Sequence, residues 1–70
     1  MELLTVKDVA KKLKVNVNYV YSLMNKGYLQ YLILGSKKIT DIELERFIKE
    51  AQGKDFSDLN DIKEVKKYDN

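Results

Sequence analysis

The chain contains no cysteine, no histidine and no proline among its 70 residues, and only three glycines. Without cysteine there is neither a disulfide staple nor a thiolate metal site. Without histidine the usual zinc ligand, proton shuttle and triad base are missing together. No apolar run approaches the roughly 18 residues that a membrane span needs, and no signal-peptide pattern opens the chain. The expectation is a cytoplasmic protein that meets no membrane. Gly35 and Gly53 stand alone, so no glycine-rich loop cradles a phosphate. Asp55, Asp58 and Asp61 lack the glycine and terminal glutamate of a calcium loop. The remaining carboxylates fall in exposed helical contexts, with no pair marked for acid–base work. The sequence therefore points to a protein that is not an enzyme and has no metal or cofactor.

The length allows one small domain. A chain of about 60 residues buries only about 60% of the surface it exposes unfolded. The formal charge of +2 is unevenly spread. Residues 1–40 hold seven lysines against Glu2 and Asp8, a net of +5 (7 − 2), whereas residues 41–70 hold six basic and nine acidic residues, a net of −3 (6 − 9). A basic front half suggests a face that meets a polyanion, although a solvated surface has the same composition.

Periodicity supplies the elements. Thr5 and Asp8 have capping-box spacing, and Val6, Val9, Ala10 and Leu13 repeat at i, i+3, i+4, i+7, which predicts a helix over 6–13. Lys14-Val15-Asn16 breaks it. Asn16 is a good N-cap for a second helix over 17–25, with Val17, Val20, Leu23 and Met24 on one side and Gly27 at the left-handed position after its end. Two short helices across a short turn make a helix-turn-helix. Residues 28–34 are strand formers; Gly35-Ser36 reads as a tight turn, Lys37-Lys38 as the basic tip of a hairpin, and Ile39-Thr40 as the return strand. Thr40 and Glu43 form a further capping box, and Leu44, Phe47, Ile48 and Ala51 mark a third helix over 41–52, ended by Gly53.

The fold class is thus mainly α with a small β-hairpin, a winged helix-turn-helix of order α-α-β-β-α over residues 1–53. Residues 54–70 form a polar tail, read either as a short extra helix or as disordered. The expected core is Leu4, Val6, Val9, Ala10, Leu13, Val20, Leu23, Met24, Leu29, Leu44, Phe47 and Ile48.

The second helix carries the informative surface. Asn18, Tyr21, Ser22 and Asn25 lie opposite its apolar side, with Tyr19 and Lys26 flanking and Asn16 at its start. Amides and hydroxyls can match donor and acceptor edges in the major groove, and asparagine fits adenine best. No acid occurs between Lys11 and Lys38, so phosphates are not repelled. Ser36, Lys37 and Lys38 on the wing, and Lys7, Lys11, Lys12 and Lys14 on the first helix and turn, are candidate backbone contacts. The expected partner is double-stranded DNA. A solvated polar helix face and a lysine-rich hairpin edge are the plain structural alternatives.

The stretch from Leu4 to Asn16, the Gly27-Tyr28-Leu29 step, Leu32-Ile33-Leu34-Gly35, Lys37-Lys38, and Leu44 with Phe47 resemble, in that order, the excisionase-like DNA-binding domains, relatives of the mercury-resistance-regulator (MerR) winged-helix fold. Where that family has serine at the turn cap and arginine on the reading face, this chain has Asn16, Val17 and Ser22. The resemblance implies an accessory factor of a phage, plasmid or transposon that binds near an attachment site and steers a recombinase without cutting strands. The alternative reading is a small transcriptional regulator of a phage or mobile element, and a protein-interaction adaptor can use the same fold. Residues 54–70, with Phe56, Leu59, Ile62 and Val65 spaced by three, either dock on a recombinase or neighbouring protomer or pack back on the third helix.

Overall fold

Each helix begins on a side chain that the sequence nominates. The computed structural model describes residues 1–65, and α1 (Val6–Leu13), α2 (Val17–Asn25) and α3 (Asp41–Ala51) start behind Thr5, Asn16 and Thr40. Thr5 Oγ1 accepts from the Asp8 N–H at 3.0 Å, and the Asp8 carboxylate accepts from the Thr5 N–H at 3.1 Å. This reciprocal box holds the Asp8 carboxyl below its ordinary value, chiefly through the Thr5 backbone hydrogen bond. Asn16 Oδ1 accepts from the Tyr19 N–H at 3.0 Å. At Thr40 only half of the expected box forms. Its hydroxyl caps the Glu43 N–H at 3.0 Å, but the Glu43 carboxylate turns instead to the Gln30 N–H at 2.9 Å and to Arg46. A fixed cation and a loop N–H compete better for that carboxylate than a cap N–H does.

The turn between α1 and α2 closes on a residue that is not glycine. Lys14 adopts φ 61, in the left-handed region. Lys14 and Val15 donate to the carbonyls of Lys11 and Ala10 at 3.2 and 3.0 Å, which satisfies the helix end in the Schellman manner. Gly27 occupies the matching position after α2 with φ +85.

The sheet is larger than the sequence suggested. β1 (Leu3–Thr5), β2 (Leu32–Leu34) and β3 (Ser36–Thr40) form an antiparallel sheet in the order β1-β3-β2. β1 was not anticipated, because three residues running straight into a helix give no alternation to read. It pairs Leu4 with Ile39, and both side chains are buried. The hairpin itself is tighter than expected. Leu34 pairs with Ser36 around Gly35, so Ser36, Lys37 and Lys38 lie along β3 and the tip is Leu34-Gly35.

The core gathers Leu4, Val6, Val9, Ala10, Val20, Leu23, Met24, Leu29, Leu44 and Phe47, as expected, together with Ile39, which was not. Two expected members sit elsewhere. Leu13 packs at the edge of the cluster, and Ile48 is 38% exposed. At about 100° per residue the inward direction of α3 lies between Leu44 and Phe47, and Ala51 follows it while Ile48 falls at the rim.

The described part of the tail forms no helix. β4 (Lys54–Asp55) and β5 (Lys63–Glu64) pair antiparallel, and the loop between them returns to the domain. The Phe56 ring meets Tyr28 and Phe47 edge to face, with centroids 5.3 and 5.4 Å apart. The hydroxyls of Tyr19 and Tyr28 donate to the carbonyls of Phe56 and Leu59 at 2.6 and 2.9 Å. The spacing by three that fits a helix poorly is used by a loop to bring Phe56 and Leu59 against the core. The part of the expected tail beyond Val65 lies outside the described residues.

Candidate nucleic-acid interface

The α2 residues divide into two sides. Asn18, Tyr21, Ser22 and Asn25 are exposed together, and no acid occupies the first turn. Ser22 donates to the Asn18 carbonyl at 3.1 Å, so its hydroxyl presents lone pairs outward and is set to accept. Asn16 is exposed at the helix start, with its side-chain oxygen committed to capping. Tyr19 is not on this face. Its ring packs against the core cluster and its hydroxyl is taken by the tail. Burial, and then the charge of Asp55, push its hydroxyl above the ordinary value. Lys26 reaches the Asn60 side chain, which also turns it toward the tail. The expected flanking pair thus marks the tail side of α2.

The wing departs most from expectation. Lys37 is half-buried, with its ammonium 5.3 Å from the Tyr21 ring centroid and 5.4 Å from that of Tyr31. Such a contact stabilises by ~0.5–1 kcal/mol when exposed, and here it ties the wing to the outward face of α2. The Lys38 ammonium folds back to the Leu34 carbonyl at 3.2 Å and to Ser36 Oγ at 2.7 Å. Neither lysine stands at a tip, because the register places both within β3. The tip is Leu34-Gly35, with Leu34 56% exposed, and Ile33, opposite Lys37, is 65% exposed.

The α1 lysines also separate. Lys7 lines a shallow cleft with Val17, Tyr21, Ser36 and Lys37, between the starts of both helices and the wing. Lys11 falls on the Lys7 side of α1, whereas Lys12 is about 140° around from Lys7; Lys14 lies beyond the helix end, in the left-handed turn. Lys12 lines a different cleft with Glu2, Asp41 and Ile42. Lys12 therefore leaves the face that α2 and the wing share. Tyr31 and Ile33 join that face unannounced. The signal was present in the register, since a hairpin turning on Gly35 sets Ile33 opposite Lys37.

Behind this face, Arg46 is a brace. Its guanidinium donates to Glu43, to Glu50 at 2.8 Å and to the Tyr28 carbonyl at 3.0 Å. Its side-chain hydrogen bond holds the Glu43 carboxyl below its ordinary value. The brace fixes α3 to the segment leading into the wing. Among the described residues no helix is long and apolar enough to cross a membrane, and no group of three or more acidic or other metal-binding side chains converges.

No match was found among curated proteins or solved structures. One family model, described as a helix-turn-helix domain, matches residues 3–52. That span takes in β1 through α3, including the cleft, the wing and the outward face of α2. Family and geometry agree on a winged helix-turn-helix, and the chain belongs to the helix-turn-helix domain family, which makes it a DNA-binding protein.

Proposed function

We propose that the protein is a sequence-specific accessory factor of the excisionase type, binding duplex DNA near a recombination site and guiding a recombinase while performing no strand chemistry itself. The observation that carries the DNA-reading part is the acid-free outward face of α2, with Asn18, Ser22 and Asn25 exposed together beside the wing. In this reading α2 lies in the major groove. Asn18 pairs with an adenine edge, Ser22 accepts from a base amine, and Lys7, Lys11 and Lys14 hold the phosphates that α1 crosses. The excisionase role is supported by the ordered resemblance of residues 4–47 to such domains. The tail's inner side is occupied by its own domain, so a recombinase or second protomer would meet it through exposed acids such as Asp58 and Asp61.

Selecting bound duplexes from a random pool, then titrating the winner at several salt concentrations, tests the DNA reading. The observed constant should fall with salt by about 0.9 log units per phosphate contacted. Failure to bind any duplex at low salt would overturn it. An excision assay with a site-specific recombinase, in the presence and absence of the protein, tests the finer role. Stimulation supports an accessory factor, whereas tight site binding without stimulation assigns a transcriptional regulator.

A further inference from the structure

The sheet ends on two strands of different character. At the β1 edge the backbone is already engaged, because the Thr5 N–H donates to the Asp8 carboxylate at 3.1 Å. β2 is the other edge, and no charged residue occurs from Tyr28 to Ser36. It therefore lacks the lysine or proline that discourages strand pairing. Its side chains alternate between two faces. Leu32 and Leu34, 37% and 56% exposed, lie on one, and Ile33, 65% exposed, lies on the other in the row of Lys37.

The ladder fixes which way the β2 backbone points. The Asp41 N–H donates to the Glu2 carbonyl, which makes Leu4 and Ile39, two residues further along each strand, a hydrogen-bonded pair. Backbone directions alternate along β3, so Lys38 and Ser36 turn their N–H and C=O toward β2. Their partners there are Leu32 and Leu34. The N–H and C=O of Ile33 are left pointing off the sheet.

A donor and an acceptor turned outward on one residue are self-complementary. Two antiparallel copies of β2 centred on Ile33 set Ile33 against Ile33 and Leu32 against Leu34, so each apolar side chain meets an apolar one on its own face. No charge on β2 selects a different partner strand. The Lys37 residues of the two copies would stand three strand spacings apart, roughly 14 Å, beyond the screening length of ~8 Å at physiological salt. We infer that β2 pairs with β2 of a second copy of the chain, joining two three-stranded sheets into one continuous sheet. Three residues on each side bury less than a standard interface, so the dimer is weak and forms as concentration rises.

The pairing needs no DNA, so its test is separate from that of the DNA reading. Sedimentation equilibrium of the full chain, from about 10 μM to about 1 mM, should show a monomer–dimer equilibrium. Over the same range, amide exchange followed by NMR should slow at Ile33 by about threefold or more, while Leu32, already bonded within the ladder, changes less. Proline is tolerated in an edge strand where its missing N–H would face solvent. Ile33→Pro should therefore keep its melting temperature and raise the dimer dissociation constant by about tenfold or more. Should that variant fail to fold, the exchange pattern of the unaltered protein decides alone. A chain that stays monomeric up to the highest concentration overturns the inference. So does a dimer whose Ile33 amide exchanges no more slowly, or a folded Ile33→Pro variant that dimerises within about twofold of the unaltered protein, since another surface then joins the copies. Protection of Ile33 that appears only with the selected duplex, on a monomeric protein, would assign the edge to DNA instead.

Discussion

The Tyr19 hydroxyl lies 2.6 Å from the Phe56 carbonyl oxygen, so a residue of the helix-turn-helix holds the tail in place. Phe56 in turn stands against Phe47 and Tyr28. A domain this thin gains from each added apolar side chain. Deleting residues 55–70 should therefore lower the melting temperature by well over the 4–8 °C that roughly 1 kcal/mol represents at this size. Tyr19→Phe alone should cost ~0.5–1.5 kcal/mol. Thermal melts followed by circular dichroism check both, and an unchanged melting temperature after truncation would mean that the tail contributes nothing to the core.

Ile39 and Ile48 differ in burial, 0% against 38% exposed. Ile39→Ala should cost ~2–5 kcal/mol, whereas Ile48→Ala should cost well under half as much. Urea denaturation of the two variants side by side is the measurement, and equal losses would contradict the assigned core.

Lys14 stands at φ 61 with a β-carbon that this conformation disfavours. The left-handed region costs a non-glycine residue ~1–2 kcal/mol, part of which glycine gives back through its freer unfolded chain. Lys14→Gly should stabilise by ~0.5 kcal/mol. If Lys14 also holds a phosphate, the same variant should bind DNA more weakly and with a salt slope lower by about one unit. A melt and a salt titration on one protein read the two effects separately.

Asn18 and Lys11 should differ in kind on DNA. Asn18→Ala should cost ~1–3 kcal/mol on the selected duplex and little on random DNA. Lys11→Ala should weaken both equally and flatten the salt dependence. Fluorescence anisotropy with the two duplexes distinguishes them; an Asn18→Ala variant that loses equally on both would move base reading elsewhere.

Acid should destabilise the fold. Asp8, Asp41 and Asp55 are held below the ordinary 3.8 of aspartate, chiefly by hydrogen bonds from the Thr5 backbone, the Glu2 backbone and the Ser57 side chain respectively. Glu43 is held below the ordinary 4.5 of glutamate, first by its hydrogen bond from Arg46. Folded values below unfolded ones mean that this stability is complete above about 4.5 and is lost as pH falls through and beneath that value. Melting temperatures measured from neutral pH downward should be flat and then drop in that window. Glu43→Gln should soften the drop.

Much of the fold was legible from periodicity and caps. Thr5, Asn16 and Thr40 announced the helices, and Gly27 the end of α2, because a capping side chain acts within one turn of its own position. The misses share another physical origin. β1, the burial of Ile39 and the return of Phe56 all depend on partners far away in sequence. The interface divided in the same way. The outward set of α2 followed from helix geometry alone. Placing Lys37, Lys38 and Tyr19 required the hairpin register and the tail, whereas the departure of Lys12 was already implicit in the geometry of α1.

The pairing of β1 with β3 also shapes how the chain reaches its fold. Glu2 and Asp41 exchange two hydrogen bonds across 39 positions of sequence, each 3.0 Å long. The two helices and the wing lie inside the loop that this contact closes. Closing such a loop carries an entropy cost that the helices and the β2–β3 hairpin do not share, so the β1–β3 pairing should form late, after α1 and α2, which can form locally. An extension fused tightly to Met1 would slow that closure, and the folding rate would report it before the equilibrium stability did.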